Sequence, residues 1–511
     1  MIANFAVLLF SAALAAPTPC ANLKSISLPD TTVTMAESVP AGVFTPPPAP
    51  APPPPSGRRR TPPTTEIHVP TLCRVAATLK PSADSEIKME VWLPENWNGK
   101  FEFVGGGGWA GVISYSALGL AASEGYATAS TDTGHVRGVA DFAIGHPEKV
   151  VDFAYRAVHE STVKAKAIMT SFYDRAPKLS YWNGCSTGGR QGLMEAQRYP
   201  DDFDAIVAGA PANYQTHLHT WDLTEAIPVI KNPAAAVSEA KLANLNKAVI
   251  QACDGKDGLK DGLLNEPRTC KFEPATLLCK SGDSDSCLTA PQIETVKRMY
   301  SPAKTKSGGL VFPGKEYGSE ADWEVVMGLD KEPPNISLGS YWVAYDKLDW
   351  DWQSFDLDRD LKVVDEKVGT IVNAINPDLS AFKARGGKLI LYHGWNDTAI
   401  SPGNTINYYS SVLSKMGSKQ DNWIRLFMVP GMGHCRGGVG PDQVNYMGAL
   451  ERWRESGTAP DQIEALHVNK DNRVDMARPL CPYPQVAQYK GVGSTNDAAN
   501  FTCRAAQSTA N

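Results

Sequence analysis

The sequence predicts an α/β protein in which one large insertion interrupts a mostly parallel sheet covered by helices. Strand-like and helix-like segments alternate over much of the chain, which is typical of such a sheet. From about Asn213 to Phe382 this alternation is lost, and four cysteines, two Trp-rich patches and many Gly/Pro breaks replace it. At Lys388 to Tyr392 the apolar strand pattern returns. We therefore expect one α/β domain, made of residues 17–212 and 383–511, which is capped by an inserted domain at 213–382.

The individual elements follow from the spacing of apolar residues, which differs between strands and helices. The expected strands are Ile87–Leu93, Phe101–Val104, Tyr126–Ser130, Leu179–Trp182, Asp204–Val207, Lys388–Tyr392 and Trp423–Val429. The expected helices are Lys149–Phe172, Gly188–Arg198, Asn404–Met416 and Gln443–Glu455.

Length, composition and charge exclude several classes of protein. The 511 residues exceed the size at which a single core usually stops growing, which agrees with a large insertion. A content of 42% apolar and 20% charged residues is ordinary for a globular protein. The formal net charge of −6 argues against a nucleic-acid partner, which would need a concentrated positive face. After the N-terminus no uninterrupted apolar stretch reaches about 18 residues, so no membrane anchor is expected.

The N-terminus and the cysteines predict a secreted protein. Residues 1–16 fit a signal peptide, because Ile2–Leu14 is almost wholly apolar and small residues end it at Ala13, Ala15 and Ala16. No Lys or Arg precedes the apolar run, and a buried N-terminal helix is the alternative. The ten cysteines are an even number, which in an exported chain indicates a full set of disulfides. None has the CxxC spacing of a structural zinc site.

Two features are expected at the surface. The proline-rich segment Pro46–Pro63 cannot form a helix or a sheet ladder, so we expect an extended exposed loop; a ligand for another protein is the alternative. Asn335 and Asn500 begin N-glycosylation sequons, which matter only if the host glycosylates. A third sequon at Asn396 should stay bare, because it adjoins the candidate catalytic acid described below.

Residues 184–188 read Gly-Cys-Ser-Thr-Gly and fit the pattern G-x-S-x-G. They follow a short apolar strand and precede a helix, as the nucleophile elbow of an α/β-hydrolase requires. The elbow exposes the Ser186 hydroxyl and points a helix N-terminus at the forming anion. An ordinary Gly-rich turn is the alternative, since the pattern also occurs by chance. The context predicts Ser186 as a nucleophile.

A serine nucleophile needs a histidine base held by a carboxylate, and this fold places them in the order Ser, Asp/Glu, His. Asp397 stands just beyond one strand, and His434 lies in a Gly-rich loop after the next strand. His393 is a rival base, but it precedes the acid and sits too close to the strand end, so we interpret it as structural. His135 lacks a comparable context. The predicted triad is Ser186, Asp397 and His434.

Two cysteines provide an independent check on this triad. Cys185 directly precedes the nucleophile, and Cys435 directly follows the base. If the triad is right, the two lie close enough in space for a disulfide to form. Such a bond would hold nucleophile and base at a fixed separation.

Stabilising the oxyanion requires two backbone N–H donors. One is expected from Thr187, the residue after the nucleophile. The other is expected from the glycine run Gly105–Gly108 after an early strand, and Gly107 is our candidate within it. A dinucleotide-binding role for these glycines is weak, because G-x-G-x-x-G followed by a helix is absent.

A Gly-rich turn in the insertion carries three carboxylates, at Asp254, Asp257 and Asp261. Such hard oxygen ligands suit calcium, and the carbonyls of Leu259 and Leu263 could complete the shell. The spacing is not that of an EF-hand, and a solvated acidic turn is the alternative. Cys253 and Cys270 bracket the turn and could close it.

Together these residues resemble the tannase family, which includes fungal and bacterial feruloyl esterases, tannases and related polyester-monomer hydrolases. The most specific elements are Cys185-Ser186, Asp397, His434-Cys435 and the acidic turn from Asp254. The resemblance implies an α/β-hydrolase fold with a large inserted lid domain that holds a structural calcium. It implies the disulfides Cys185–Cys435, Cys253–Cys270, Cys279–Cys287 and Cys481–Cys503, which leaves Cys20–Cys73.

The resemblance also implies the substrates, which in this family are esters of phenolic acids such as ferulate, p-coumarate, caffeate and gallate. We expect a feruloyl esterase that acts on small aromatic esters or on phenolic esters linked to plant cell-wall polysaccharide. A tannase that cleaves galloyl esters is the first alternative. A calcium-stabilised binding protein on a hydrolase scaffold and a metal-dependent hydrolase are the others.

Overall fold

The structure is a computed structural model that describes residues 18–48 and 66–506. The expected signal peptide at 1–16 lies outside the described residues, and so does most of the proline-rich segment Pro46–Pro63. Both therefore stay predictions. Among the described helices, none combines the length and the apolar character needed to cross a bilayer.

The strands and α-helices of the described residues alternate for most of the chain. The strands are β1 (Thr31–Val39), β2 (Gly42–Phe44), β3 (Ile67–Val69), β4 (Leu72–Leu79), β5 (Ile87–Pro94), β6 (Lys100–Val104), β7 (Ala127–Thr131), β8 (Leu179–Cys185), β9 (Ala205–Gly209), β10 (Ala303–Lys304), β11 (Leu310–Phe312), β12 (Lys388–Gly394), β13 (Ile424–Val429), β14 (Gln443–Val444), β15 (Ile463–Val468), β16 (Val474–Leu480), β17 (Gln485–Tyr489) and β18 (Phe501–Ala505). The helices are α1 (Tyr115–Ser123), α2 (Pro147–Val151), α3 (Ala157–Tyr173), α4 (Thr187–Arg198), α5 (Gln215–Lys231), α6 (Glu239–Cys253), α7 (Ala290–Tyr300), α8 (Asn335–Tyr345), α9 (Leu357–Val364), α10 (Thr370–Val372), α11 (Ser380–Ala384), α12 (Pro402–Met416) and α13 (Tyr446–Ser456).

The main sheet has nine strands in the order β1-β4-β5-β7-β6-β8-β9-β12-β13. The run from β7 to β13 is parallel, whereas β1, β4 and β5 are antiparallel at one edge. The predicted α/β architecture with a mostly parallel sheet is therefore confirmed. Sequence reasoning missed the edge strand β1 and its neighbour β4. Only one residue of β1 is buried, and it carries no apolar run that marks a buried strand.

Both faces of the sheet are buried, which explains why its central strands are almost wholly apolar. In β9, Ile206 and Ala208 face one core, while Ala205 and Val207 face the other. Helices α3, α4 and α12 cover the first face, and α1 and α13 cover the second. This two-sided packing fixes the strand ends at which the candidate catalytic residues stand.

Two predicted helices differ from the observed ones. The helix expected over Lys149–Phe172 is present as α2 and α3, which a π-helical turn at Asp152–Arg156 joins. The helix expected over Gln443–Glu455 was placed too early. Gln443–Val444 instead pairs with β15, and the side chain of Asn445 then caps α13 by accepting a backbone hydrogen bond. Local capping and strand pairing thus moved this boundary.

The insertion lies between β9 and β12 and contains helices α5 to α11 with the short hairpin β10–β11. Part of it has its own core around Val249 and Trp323. Another part packs on loops and helices of the α/β domain, where Trp109 and Phe153 share a core with Tyr341 of α8. The inserted segment is therefore anchored to the α/β domain through shared apolar contacts, and its domain limits at 213–382 stay a prediction.

Candidate active site

The three predicted catalytic residues follow three strands of the parallel part of the sheet. Ser186 comes directly after β8, Asp397 follows β12, and His434 follows β13. The carboxyl ends of parallel strands meet at one edge of a sheet, where α/β proteins place their ligand sites. The topology therefore brings together residues that are far apart in the sequence.

Ser186 stands on a strained turn between β8 and α4. Its backbone has φ 63° and ψ −122°, in a region that residues with a side chain adopt only when their surroundings enforce it. The Ser186 N–H donates to the carbonyl of Gly209 at 3.0 Å, which ties the turn to the neighbouring strand. At Gly184 an added Cβ would lie 2.6 Å from the backbone of Gly188, so only glycine allows this close packing.

Asp397 and His434 form a direct pair. The Nδ1 atom of His434 lies 2.7 Å from Oδ2 of Asp397, so the N–H at this position donates to the carboxylate and Nε2 is left as the proton acceptor. Asp397 is fully buried, and its Oδ1 accepts the backbone N–H groups of Ala399 and Ile400 at 2.9 Å. His393 donates from Nε2 to the same carboxylate at 3.0 Å.

The electrostatics of this pair favour an ionised acid beside a basic imidazole. Burial raises the pKa of Asp397, but the charge of His434 and the hydrogen bonds from His393 and His434 outweigh it and leave that pKa below its usual range. Burial lowers the pKa of His434, but the charge and the hydrogen bond of Asp397 together raise it by more. The pKa of His434 therefore lies above its ordinary value. Asp397 thus orients His434 and stabilises its protonated form.

Neither of the two other candidate histidines faces the cavity of Ser186. His393 is fully buried behind Asp397, and its Nδ1 accepts the hydroxyl of Thr405 at 2.7 Å, so it buttresses the carboxylate. His135 is also buried, and its ring stacks on Phe142 at 3.6 Å. It does not line the cavity that contains Ser186.

A disulfide joins the residue before the serine to the residue after the histidine. Cys185 and Cys435 are 250 residues apart in sequence, and their Cα atoms lie 6.0 Å apart. Cys435 itself has a positive φ of 64°, and Cys185 directly precedes Ser186, which has a φ of 63°. Each end of the bridge therefore lies at a sharp backbone turn. The structure also contains the disulfides Cys20–Cys73, Cys253–Cys270, Cys279–Cys287 and Cys481–Cys503.

Ser186 and His434 both line a cavity of about 550 Å³, together with Thr187 and Gly108. Within residues 18–48 and 66–506 the Ser186 hydroxyl makes no hydrogen bond, so its contact with His434 is not formed in this conformation. Catalytic hydrogen bonds are often loose without substrate and tighten when it binds.

The glycine run after β6 supplies free backbone donors beside the serine. The N–H groups of Gly105 and Gly106 donate to a backbone carbonyl and to a side-chain amide. Those of Gly107 and Gly108 have no acceptor among the described residues, and Gly108 borders the cavity. The Thr187 hydroxyl donates to the carbonyl of Gly108 at 2.5 Å, which holds the run against the start of α4. The roles of Thr187 and Gly107 as oxyanion donors stay a prediction.

The acidic turn lies within the insertion, at the end of α6, and its residues do not line the cavity of Ser186. Asp254 accepts the backbone N–H groups of Asp261 and Gly262, and Asp261 also pairs with Arg478 at 2.7 Å. Burial raises the pKa of Asp257 to about 6, and the charges of Asp261 and Asp254 add to this rise. The donor types suit a hard cation that would relieve this repulsion, although the three carboxylates do not all converge within 4.8 Å in the described residues.

Sequence reasoning missed one polar wall of the cavity. Asp222 and Glu225 of α5 line it together with Lys315 from the loop after β11. Glu225 and Lys315 form an almost fully buried ion pair with 3.1 Å between Oε2 and Nζ. The three residues carry no motif, and only the helical spacing of α5 hints that Asp222 and Glu225 share a face.

Comparison with known proteins agrees with this arrangement. The family model described as "Tannase and feruloyl esterase" matches residues 73–504. An uncharacterized esterase from Xanthomonas campestris pv. campestris is 36% identical over 95% of this chain and 91% of its own length. A probable feruloyl esterase B-1 from Aspergillus flavus is 33% identical over 94% of this chain and 93% of its own.

The crystal structure of feruloyl esterase B from Aspergillus oryzae has the same architecture. It matches with a TM-score of 0.86 and 31% identity, over 94% of this chain and 98% of that chain. The match therefore includes both the sheet and the segment inserted between β9 and β12. The chain belongs to the tannase and feruloyl esterase family and is a carboxylic ester hydrolase.

Proposed function

We propose that this protein is a secreted feruloyl esterase that cleaves phenolic-acid esters through an acyl-enzyme on Ser186. One observation carries the proposal. The disulfide Cys185–Cys435 joins the strained turn of Ser186 to the loop of His434, which pairs with Asp397, and both Ser186 and His434 line one cavity.

The proposed reaction has two halves. Ser186 attacks the ester carbonyl while Nε2 of His434 takes the hydroxyl proton, and Asp397 stabilises the resulting imidazolium. Backbone N–H groups of Thr187 and Gly107 stabilise the oxyanion. His434 then protonates the leaving alcohol. In the second half, His434 activates a water molecule that hydrolyses the acyl-enzyme and releases the free acid.

The cavity supports an aromatic acyl group. Leu218, Ile336 and Ile400 give it an apolar section that suits a flat ring. The feruloyl esterase names of the relatives from Aspergillus flavus and Aspergillus oryzae favour the same substrate class. We propose small aromatic esters, or phenolic esters on plant cell-wall polysaccharide, as the substrates.

We further propose that the insertion is a lid over the site and that its acidic turn holds calcium. The carboxylates of Asp254, Asp257 and Asp261 would bind the ion with the carbonyls of Leu259 and Leu263. A calcium ion bound there would supply positive charge that ties the turn together, and its proposed role is structural. Export is supported by the five disulfides, which persist in oxidising compartments.

The decisive experiment compares release of ferulate from methyl ferulate with release of gallate from methyl gallate. We expect the ferulate ester to be turned over with the higher kcat/KM. A preference for the gallate ester would make the protein a tannase. Turnover of short aliphatic esters alone would refute an aromatic substrate.

The mechanism needs a separate test. A serine-directed fluorophosphonate should label the wild-type protein and fail to label Ser186→Ala. Absence of labelling in well-folded wild-type protein would favour a non-catalytic binding protein. Circular dichroism of both proteins controls for loss of fold.

A further inference from the structure

A buried carboxylate of α4 lies next to a histidine–aspartate pair on one face of the sheet. Glu195 is 1% exposed and belongs to α4, whereas Asp202 lies in the turn between α4 and β9. His159 is in the first turn of α3, and its Nδ1 lies 2.7 Å from Oδ2 of Asp202. None of the three lines the cavity of Ser186. The cluster therefore stands apart from the candidate active site.

Glu195 has no partner for its carboxylate. Neither of its two oxygens accepts a hydrogen bond from any described residue. A carboxylate that is buried without a donor is costly, so such a group is protonated or binds a cation. Burial and the neighbouring charge of Asp202 raise the pKa of Glu195 well above its ordinary value. Glu195 thus lacks the positive charge that a buried carboxylate needs.

A lysine near the cluster does not supply this charge. The Nζ atom of Lys166 donates to the main-chain carbonyl of Asp202. Among residues 18–48 and 66–506 it forms no ion pair with Glu195 or with the carboxylate of Asp202. Burial also lowers the pKa of Lys166. The two carboxylates therefore face one imidazole and no directly bonded lysine.

The three side chains direct one nitrogen and two carboxylate oxygens toward one point. One ligand atom from each of His159, Glu195 and Asp202 lies within 4.8 Å of the other two. Zinc bonds to imidazole nitrogen and carboxylate oxygen are about 2.0–2.2 Å long, so small side-chain rotations bring all three into bonding range. Calcium takes oxygen ligands, whereas imidazole suits zinc and other transition metals. The donor set therefore favours a divalent transition metal.

The histidine is already oriented for this role. Its ring stacks on Tyr199, with the centroids 3.8 Å and the planes 9° apart. The backbone N–H of Asp202 donates to the carbonyl of Tyr199 at 2.9 Å, so one turn positions both partners of His159. The His159 side chain is 28% exposed, which gives an ion access from solvent. Two carboxylates and a neutral imidazole carry two negative charges, which a divalent ion balances.

We propose that His159, Glu195 and Asp202 form a binding site for a divalent transition metal, for which zinc is the probe. A bound ion joins α3 to α4 and to the turn after α4. Because α4 begins directly after Ser186, the ion braces the helix behind the nucleophile turn, and its role is structural. This inference does not depend on the proposed esterase function.

The test measures zinc binding to the intact protein by isothermal titration calorimetry, after chelation and in excess calcium, which keeps zinc from the acidic turn. For the wild-type protein we expect one zinc per chain at this site. In Glu195→Gln the affinity should fall at least about a hundredfold, because loss of even an outer partner of a metal ligand costs about 10–100-fold. His159→Phe keeps a ring that can stack on Tyr199 but removes the nitrogen, and it should lose this zinc.

His467→Phe is the matched control. Nδ1 of His467 lies 2.6 Å from Oδ1 of Asp475, and the His467 side chain is 27% exposed, so this pair closely resembles that of His159. Among the described residues no third metal-ligating side chain completes it. The control should bind zinc as the wild-type protein does. Zinc bound anywhere else is common to all these proteins and cancels in the comparison.

A second measurement needs the wild-type protein alone and replaces any variant that circular dichroism shows to be unfolded. Diethylpyrocarbonate modifies accessible imidazoles, and mass spectrometry locates the modified residues. Zinc should protect His159, while His467 in the same sample should remain reactive.

The outcomes decide the proposal. Loss of one zinc in His159→Phe and Glu195→Gln but not in His467→Phe supports the site, and so does selective protection of His159. The proposal is overturned if the wild-type protein binds no zinc, if the variants bind it like the wild type, or if His159 stays reactive. Glu195 is then a protonated acid beside Asp202.

Discussion

The disulfide between Cys185 and Cys435 gives the sharpest prediction. We expect the double variant Cys185→Ala/Cys435→Ala to lose catalysis more severely than stability. The bridge closes a loop of 250 residues, for which the chain-entropy relation gives about 5 kcal/mol of the free energy of unfolding. Measured losses for single disulfides are about 2–4 kcal/mol. The other four disulfides remain, so the protein should stay folded at room temperature.

The catalytic loss has a different origin. Without the bridge, no covalent link holds the loop of His434 to the turn of Ser186, and a misplacement of about 1 Å costs about a hundredfold in rate. The control is Cys481→Ala/Cys503→Ala, which opens a bridge across 22 residues between the end of β16 and β18. It should lose about 3 kcal/mol by the same relation and keep its kcat/KM.

The assays are chemical denaturation for stability and kcat/KM on an aromatic ester below the unfolding transition. If the Cys185→Ala/Cys435→Ala protein keeps wild-type kcat/KM, the bridge does not position the triad. If both double variants lose activity equally, the loss reflects stability alone, and the reasoning is again refuted.

Three further predictions concern the same site and the acidic turn. Asp397→Asn should lower kcat/KM about 10⁴-fold with little change in fold, because the amide cannot hold the required tautomer of His434; a loss below tenfold would contradict this. The pKa of His434 is raised and the base must be neutral, so kcat/KM should fall as pH decreases through a midpoint above about 6.5. A pH profile with a lower midpoint would argue against the pairing with Asp397. Chelation should lower the Tm and spare kcat/KM at low temperature, and it should have no further effect on Asp254→Ala. Loss of turnover without a change in Tm would instead make the metal catalytic.

Much of the candidate site could be predicted because its signals are local. Ser186 lies between a strand and a helix, with a glycine two residues away on each side. This pattern is visible in the sequence because the turn has no room for a side chain at Gly184. Asp397 and His434 each follow an apolar strand, so the sequence alone showed that serine, acid and base occur in the order that an α/β-hydrolase requires. The exposed edge strand β1 was missed, since its polar residues leave no pattern that differs from a loop.

The sequence by itself was enough to predict the catalytic groups that we propose, namely a serine, an acid and a base at strand ends, with cysteines beside two of them. Tertiary structure alone decided what surrounds them. It placed His393 behind Asp397, and it turned Asp222 and Glu225 toward the cavity of Ser186. The physical reason is the separation along the chain of the residues that interact. Turn geometry and strand periodicity depend on neighbours in the chain, whereas the wall of a cavity depends on how helix α5 packs against segments more than a hundred residues away.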